Sequence, residues 1–342
     1  DGETDMRAWE ITTAEGIDGL TLNEKPMPEP GPGEVRVKMT ANSINYRDLM
    51  TVEHAAARGL LLPFIPNSDG AGVVSAVGQG APYREGDRVT SCFFSDWDAG
   101  EIGPETMNSA LGGARPGVLA EEVVLPARGV IPTPAHLSDA EAATLPCAAL
   151  TAWHALTQPR PILAGETVLL LGTGGVSVFA QQFCRMMGAR TIVTSSSDAK
   201  LARMKDLGAD GTVNYRDNPD WDREVLEMTG GIGVDRAVEV GGPGTFDRSV
   251  NATRVGGIIG LIGILTGAGG QVHPTNFMRK SITVRGIYVG SRAMFADMNR
   301  AIERHGLKPV IDDDFAFEDA PGAYRAMRAA GHFGKLAIRV GK

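Results

Sequence analysis

The feature that most constrains this fold is a glycine-rich turn that follows a short, fully apolar segment. Val168–Leu171 contains only Val and Leu, as is typical of a parallel strand buried on both faces. The next residues, Gly172–Ser177, contain three glycines and lead into a segment whose apolar residues have helical spacing. Such a strand–turn–helix unit lets backbone approach a pyrophosphate and places its charge at a helix N-terminus. The turn therefore predicts a dinucleotide-binding site.

From Leu137 onwards, strand and helix patterns alternate along the chain. The predicted elements after the turn are helix Ser177–Met187, strand Thr191–Thr194, helix Lys200–Leu207, strand Thr212–Asn214, helix Trp221–Met228, strand Val234–Val240, helix Phe246–Ala252, strand Ile258–Ile262 and strand Ser281–Gly286. Alternation of this length is typical of a doubly wound parallel sheet. We therefore expect residues 137–286 to form a Rossmann dinucleotide-binding domain.

The first part of the chain and its end have a different, β-rich pattern. Val35–Thr40 alternates apolar and polar residues, as a half-buried strand does. Asp69–Gly78 is predicted to be another strand, and the chain closes with a strand at Lys335–Val340. We expect residues 1–136 and 287–342 to form a second, β-rich domain that binds the substrate.

Composition excludes two classes of partner. The 342 residues include 33 Lys and Arg against 41 Asp and Glu, which gives a net charge of −8. No basic stripe is available to neutralise the phosphates of a nucleic acid. No apolar stretch has the length of a membrane helix, and the acidic start, Asp1–Asp5, lacks a signal-peptide pattern. We expect a cytoplasmic protein with neither a nucleic-acid nor a membrane partner.

The cysteines and histidines are too scattered to predict a metal site. Cys92, Cys147 and Cys184 include no C-x-x-C pair, and the six histidines have no ligand spacing. This pattern fits neither a disulfide framework nor a structural zinc cluster.

The end of the first strand after the turn, Thr191–Thr194, discriminates between NAD and NADP. NAD-binding domains usually carry an acid there, which binds the ribose 2′-hydroxyl. In this chain Ser196, Ser197 and Lys200 offer hydroxyl donors and positive charge, which suit the 2′-phosphate of NADP. Two alternatives stay open: Asp198 as the acid of an NAD site, and Ser197 as a helix cap. The pattern favours NADP, with NADPH preferred over NADH.

Four motifs occur in a fixed order along the chain. They are Ser43–Leu49 (SINYRDL), Pro66–Gly72 (PNSDGAG), Leu145–Trp153 (LPCAALTAW) and Gly172–Val176 (GTGGV). Together they resemble the medium-chain dehydrogenase/reductase superfamily, in particular its zinc-independent quinone oxidoreductase-like and alcohol dehydrogenase-like branch. The resemblance implies an α/β protein with a GroES-like β-rich catalytic domain and a Rossmann domain. It also implies an NAD(P)H-dependent oxidoreductase that forms a homodimer or homotetramer.

The three positions that hold catalytic zinc in similar proteins carry other residues in this chain. Zinc-dependent members of the superfamily have a Cys where Asn45 stands, a His where Ser68 stands, and a Cys or Asp where Cys147 stands. A catalytic zinc ion needs three protein ligands, which one cysteine with an asparagine and a serine does not supply. We therefore expect no zinc, and we interpret Cys147 as a small apolar residue.

Asn45, Tyr46, Arg47 and Asp48 are the candidate catalytic residues. Hydride transfer requires stabilisation of negative charge on the substrate oxygen, and the amide, phenol and guanidinium of the first three are donors. Tyr46 is the one that readily transfers a proton, although solvent or a substrate hydroxyl is an alternative source. In similar quinone oxidoreductases the residues matching Asn45 and Asp48 line the nicotinamide pocket. The competing interpretation is that Tyr46 packs as an aromatic and that Asp48 caps a helix or pairs with Arg47.

The resemblance also assigns cofactor contacts beyond the turn. It places Thr151 near the nicotinamide, assigns Tyr215 to the 2′-phosphate together with Ser197 and Lys200, and places the loops at Gly263 and Val289 beside the nicotinamide. The complete predicted cofactor set is Thr151, Gly172, Thr173, Gly174, Gly175, Val176, Ser196, Ser197, Lys200, Tyr215, Gly263, Ile264 and Val289.

Two functions follow from these observations. The first is a zinc-independent, NADP(H)-dependent oxidoreductase that transfers hydride between nicotinamide and a small carbonyl, alcohol, enone or quinone substrate. The pocket residues do not discriminate between these substrates. The alternative is a structural or regulatory protein that binds NADP(H) and catalyses little. The presence of Asn45, Tyr46 and Asp48 favours the enzyme.

Overall fold

A computed structural model of the chain describes residues 5–341, which fall into two units with different types of sheet. The first unit ends at Leu150 and resumes at Gly290, and the second unit is Thr151–Val289. The expectation drawn from the first four residues lies outside the described part of the chain. Among the described residues, no helix is long and apolar enough to span a membrane.

The strands form three sheets. They are β1 (Asp5–Ile11), β2 (Leu20–Pro26), β3 (Glu34–Ile44), β4 (Asp69–Val77), β5 (Arg88–Ser91), β6 (Glu122–Pro126), β7 (Val130–Pro132), β8 (Thr167–Leu171), β9 (Arg190–Ser195), β10 (Gly211–Asn214), β11 (Val234–Glu239), β12 (Thr253–Leu261), β13 (Thr283–Gly286), β14 (Ile311–Ala316) and β15 (Lys335–Arg339). β1 and β2 form an antiparallel pair, and the main sheet of the first unit has the order β14-β15-β3-β4-β5-β7, with β6 also paired to β3. The sheet of the second unit has the order β10-β9-β8-β11-β12-β13.

The helices separate most of these strands. They are α1 (Tyr46–Glu53), α2 (Pro104–Met107), α3 (Asp139–Ala143), α4 (Leu150–Thr157), α5 (Gly175–Met187), α6 (Asp198–Asp206), α7 (Trp221–Met228), α8 (Pro243–Ala252), α9 (Pro274–Arg279), α10 (Arg292–His305) and α11 (Ala320–Ala329). One turn of π-helix, Leu145–Ala149, precedes α4. Helix α7 begins and ends at the predicted residues, and α5 begins two residues before the predicted start.

The core of the first unit follows the predicted two-residue alternation of β3. Val35, Val37 and Met39 are each at most 2% exposed and belong to one apolar cluster, which confirms that one face of β3 is buried. The last strand, β15, runs antiparallel to β3 and places Leu336 opposite Ile44. The end of the chain therefore returns to the β-rich unit, as predicted.

The boundary between the units lies later in the chain than the predicted change at residues 136 and 137. Helix α3 belongs to the first unit because Asp139 accepts hydrogen bonds from Thr40 at 2.6 Å and from Arg88 at 2.5 Å. At the other boundary, Ile287 donates its backbone N–H to Leu261 at 2.9 Å, so the second unit continues past residue 286 to residue 289. The predicted boundary relied on the pattern of apolar residues along the sequence, which does not reveal polar contacts of this kind.

The second unit is a parallel sheet of the predicted kind. All five of its strand pairs are parallel. Counted from β8, the strand order is 3-2-1-4-5-6, which is the order of dinucleotide-binding sheets. The carboxyl ends of parallel strands lie at one edge of the sheet, where cofactors bind in such folds. The loops after β8, β9, β10 and β12, which contain most of the predicted cofactor residues, therefore share that edge.

Candidate active site

The catalytic candidates lie where strand β3 ends and helix α1 begins. Asn45 has an extended backbone, with φ −118° and ψ 158°, and Tyr46 is the first helical residue. A carboxylate oxygen of Asp48 accepts a hydrogen bond from the Asn45 backbone N–H at 2.9 Å. The fully buried Asp48 therefore has the capping role that the sequence left open.

The amide of Asn45 is held at both ends by neighbouring side chains. Its Nδ2 donates to Asp48 Oδ2 at 3.2 Å, and its Oδ1 accepts a hydrogen bond from Lys335 Nζ at 2.5 Å. Asn45 is only 7% exposed. The structure thus makes this amide part of an internal network that fixes its orientation, whereas the sequence suggested a direct donor to the substrate.

Arg47 pairs with the helix cap, as the competing interpretation suggested. Its Nη1 lies 3.1 Å from Asp48 Oδ1, and its guanidinium carbon lies 4.5 Å from the centroid of the Phe93 ring. Both contacts stabilise a cation that is mostly removed from water. The guanidinium therefore compensates the buried charge of Asp48.

Tyr46 is the most exposed of the four catalytic candidates. It is 38% exposed, whereas Asn45 and Asp48 are buried. As the first residue of α1, it leaves the junction directly after the fixed Asn45 side chain. Tyr46 is therefore partly open to solvent and is not packed within the core.

A second buried carboxylate, Asp69, lies at the start of β4. Its Oδ1 accepts a hydrogen bond from Ser68 Oγ at 2.6 Å, and its Oδ2 accepts one from the Cys147 backbone N–H at 3.1 Å. Complete burial raises the pKa of Asp69 to about 6, while the charge of Lys335 and the hydrogen bond from Ser68 oppose this rise. Asp69 thus binds a proton more readily than an exposed aspartate.

Lys335, the first residue of β15, adds a buried positive charge to this group. Its Nζ donates to the Ile44 carbonyl at 2.8 Å in addition to the Asn45 amide, and the residue is 3% exposed. Burial lowers the pKa of Lys335, and the negative charges of Asp69 and Asp48 oppose that effect. The ammonium is therefore held by hydrogen bonds and by nearby carboxylates.

Sequence analysis did not identify Asp69 or Lys335 as site residues. Each was a charged residue at the start of a segment predicted to be a strand. In the structure the first four residues of each strand are buried. The available signal at both positions was a charged residue at the start of a predicted strand.

The donor atoms of this pocket do not fit a catalytic zinc ion. Ser68 donates its hydroxyl to Asp69, and the Asn45 amide oxygen accepts from the Lys335 ammonium, whose charge repels a divalent cation. Burial and the charge of Asp69 raise the pKa of the Cys147 thiol, which disfavours the thiolate that zinc binds. In the part of the chain that the structure describes, no three His, Cys, Asp or Glu residues are grouped to hold a metal.

The turn after β8 has the geometry that a bound pyrophosphate requires. Gly172 has φ 74°, a region that favours glycine, and Gly174 precedes the first residue of α5. A Cβ atom at either glycine meets no atom within 4 Å, so the space beside the turn is open. Backbone N–H groups at the N-terminus of the 13-residue helix, which begins with Gly175 and Val176, are donors for an anion.

Thr173 and Ser177 belong to the same turn. Thr173 is 6% exposed. Ser177, which stands where many dinucleotide-binding turns have a third glycine, is buried and donates its hydroxyl to the Leu171 carbonyl at 2.6 Å. This hydrogen bond ties the helix to the end of β8, so the serine is compatible with close helix–sheet packing.

The predicted 2′-phosphate residues follow β9 and β10. Ser197 caps α6 by accepting the Lys200 backbone N–H at 3.4 Å, and Ser196 is partly exposed. Tyr215 is 42% exposed and donates its backbone N–H to the Ser195 carbonyl at 3.1 Å. The ends of the two strands therefore bring the serines, Lys200 and Tyr215 to the same edge of the sheet.

Asp198, the open candidate for an NAD-binding acid, contacts a neighbouring side chain. Its Oδ1 accepts a hydrogen bond from Asn214 Nδ2 at 2.8 Å. Asn214 Oδ1 in turn accepts the backbone N–H of Arg216 at 3.0 Å. The carboxylate of Asp198 is therefore directed towards β10.

The remaining predicted cofactor residues lie elsewhere in the second unit. Thr151 is buried in α4, and Ile264 is 51% exposed after β12. Gly263 donates its backbone N–H to the Glu239 carbonyl at 3.3 Å. Val289 has φ 56°, and its carbonyl oxygen lies 2.8 Å from His154 Nδ1.

Glu239 is a residue of this edge that sequence analysis missed. Its Oε1 accepts backbone N–H groups of Gly241 at 2.7 Å and Gly242 at 3.0 Å, and the Thr245 hydroxyl at 2.6 Å. The carboxylate thus orders the loop between β11 and α8. A glutamate at the end of a mostly buried strand was the available signal.

Comparisons with known proteins agree with this arrangement. Residues 31–135 match the family described as alcohol dehydrogenase GroES-like domain, and residues 175–304 match the zinc-binding dehydrogenase family. A zinc-type alcohol dehydrogenase-like protein of Schizosaccharomyces pombe is 40% identical over 95% of this chain and 96% of its own length.

Two solved structures extend the comparison. The structure of an NAD-dependent alcohol dehydrogenase matches 98% of this chain and 100% of its own chain, with a TM-score of 0.90 and 35% identity. A mycobacterial protein complexed with NADPH matches 98% of this chain and 99% of its own, with a TM-score of 0.81 and 28% identity. This chain therefore belongs to the medium-chain dehydrogenase/reductase superfamily and is an NAD(P)H-dependent oxidoreductase.

Proposed function

We propose that this oxidoreductase transfers hydride between NADPH and a small carbonyl, alcohol, enone or quinone substrate without a catalytic zinc ion. The observation that carries the proposal is the pocket around Asn45. The residues that replace the zinc ligands of similar proteins are hydrogen-bonded to Asp69 and Lys335. The pocket thus contains a positive charge that belongs to the protein, the ammonium of Lys335.

The residues at the ends of β9 and β10 support the preference for NADPH. Ser196, Lys200 and Tyr215 offer hydroxyl groups and one positive charge, which together suit a dianionic phosphate. Asp198, which would favour an unphosphorylated ribose, already accepts a hydrogen bond from Asn214. The similar structures include both an NADPH complex and an NAD-dependent enzyme, so the preference rests on the residues of this chain.

The residues of the chain have separable roles in the proposed reaction. Bound NADPH supplies the hydride for reduction of the substrate. Backbone N–H groups of Gly172–Val176 hold the pyrophosphate. The phenol of Tyr46 donates a proton to the oxygen that becomes negative. Asn45 and Asp48 fix the start of α1, from which Tyr46 emerges.

We also propose that the chain forms a homodimer or homotetramer through β13. This strand is the edge of the six-stranded sheet, and Thr283, Arg285 and Gly286 are exposed. An exposed edge presents unpaired backbone groups that pair readily with another strand. Light scattering of the purified chain is expected to give at least twice the monomer mass of 36.1 kDa, and a monomeric mass contradicts the proposal.

Lys200→Ala is expected to weaken NADPH binding about tenfold and to leave NADH binding nearly unchanged. The substitution removes one charge-assisted contact to the 2′-phosphate, a group that NADH lacks. Fluorescence titration with each cofactor measures the dissociation constants. Lys205→Ala, an exposed lysine on the same helix, is the matched control. Equal weakening for both cofactors would reject the assignment of Lys200.

Tyr46→Phe is expected to lower kcat about 100-fold because it removes the proposed proton donor and leaves the ring in place. NADPH oxidation with an aldehyde, an enone and a quinone identifies the substrate class and measures the loss. Tyr83→Phe is the control, since the Tyr83 hydroxyl donates to the Val130 carbonyl at 3.0 Å, away from α1. An unchanged kcat with hydride transfer rate-limiting shows that solvent or a substrate hydroxyl, rather than Tyr46, supplies the proton. Tight NADPH binding without turnover on any substrate contradicts the enzymatic proposal.

A further inference from the structure

We propose that Lys335 is a positioning residue of the active site, whose buried ammonium fixes the strand-to-helix junction that presents Tyr46. The ammonium binds two adjacent residues at this junction. It donates to the backbone carbonyl of Ile44, the last residue of β3, and to the side-chain oxygen of Asn45, the residue before α1. The catalytic consequence of this inference rests on the proposed function.

The sheet register places Lys335 at this junction. β15 pairs with β3 so that Leu336 lies opposite Ile44, and Lys335 precedes that pair. One side chain thus restrains both the backbone of Ile44 and the amide of Asn45. Because Tyr46 is the next residue, the direction in which its phenol leaves α1 depends on these two contacts.

The positive charge of Lys335 also helps to hold the ammonium at this junction. A buried ammonium is costly unless opposite charges and hydrogen bonds compensate it, and Asp48 and Asp69 supply the charges. Buried ionic groups of this kind cluster at functional sites because their field acts on reacting groups. The attraction between Lys335 and these two carboxylates therefore adds to the hydrogen bonds that hold the junction.

The chain contains a second lysine that allows a matched control. Lys280 Nζ donates to the carbonyls of Val250 at 3.1 Å, Asn251 at 2.7 Å and Thr253 at 2.7 Å. It holds the C-terminal end of α8 in the second unit, and burial lowers its pKa as well. Lys280→Ala therefore removes comparable hydrogen bonds without touching the junction.

The first measurement compares Lys335→Ala and Lys280→Ala in the full chain. We expect kcat to fall about 100-fold in Lys335→Ala, while the NADPH dissociation constant changes less than about twofold. Lys280→Ala is expected to lower the thermal midpoint and to leave kcat at the wild-type value. If both variants lose kcat in proportion to their thermal midpoints, the role of Lys335 is structural and the inference is wrong.

Chemical rescue separates the hydrogen bonds of Lys335 from its charge. Ethylammonium and tetramethylammonium carry the same charge, but only ethylammonium has N–H groups that can donate to Asn45. At equal ionic strength, we expect ethylammonium to raise the kcat of Lys335→Ala at least about tenfold and tetramethylammonium to leave it low. Equal rescue by both cations, or none by either, contradicts a positioning role.

A final readout does not depend on turnover. The chain has five tyrosines, so protein labelled with 3-fluorotyrosine gives five fluorine resonances, of which Tyr46→Phe identifies one. We expect Lys335→Ala to shift or broaden the Tyr46 resonance and Lys280→Ala to leave it unchanged. An unmoved Tyr46 resonance in Lys335→Ala overturns the inference, even if the wild-type chain binds NADPH without turning over any substrate. The two failures are thereby distinguished.

Discussion

Four charged side chains lie close together in the first unit, and the balance of their charges constrains the structure around them. The carboxylates of Asp48 and Asp69 are fully buried, while Arg47 and Lys335 supply the opposing charges. Removing any one of them leaves an uncompensated buried charge, which is far more costly than the loss of an exposed ion pair. The group also connects the end of β3, the start of β4 and the start of β15. This group of four charges consequently supports the pairing of these strands, the cap of α1 and the position of Tyr46.

This arrangement supports the proposal that the chain works without zinc, although its relatives carry zinc-type names. One of the two matched families is described as zinc-binding dehydrogenase, and a 40% identical protein is called zinc-type. Both a metal ion and an ammonium can stabilise a developing oxyanion, but they need different surroundings. Zinc needs deprotonated or neutral ligands with free lone pairs, whereas Lys335 needs acceptors such as the Asn45 amide oxygen. The pocket supplies such acceptors to the Lys335 ammonium, namely the Ile44 carbonyl and the Asn45 amide oxygen.

Local patterns allowed much of the fold and the cofactor turn to be predicted from sequence. The apolar run of β8, the glycines after it and the helical spacing of α7 are each encoded within a few consecutive residues. The catalytic pocket was only partly predictable, because its contacts join distant residues. Lys335 and Asn45 are 290 positions apart, and no local pattern relates them. The same limit explains the boundary near Asp139, where hydrogen bonds to β3 and to Arg88 decide to which unit a short helix belongs.

The central proposal, that this oxidoreductase transfers hydride without a catalytic zinc ion, is tested most directly by elemental analysis combined with activity. Metal content and NADPH-dependent turnover are measured on the same sample before and after dialysis against a strong chelator. The account predicts that bound zinc is far below one ion per chain and that kcat is unchanged by the chelator. One zinc ion per chain, with activity that is lost on chelation and regained on adding zinc, would contradict it.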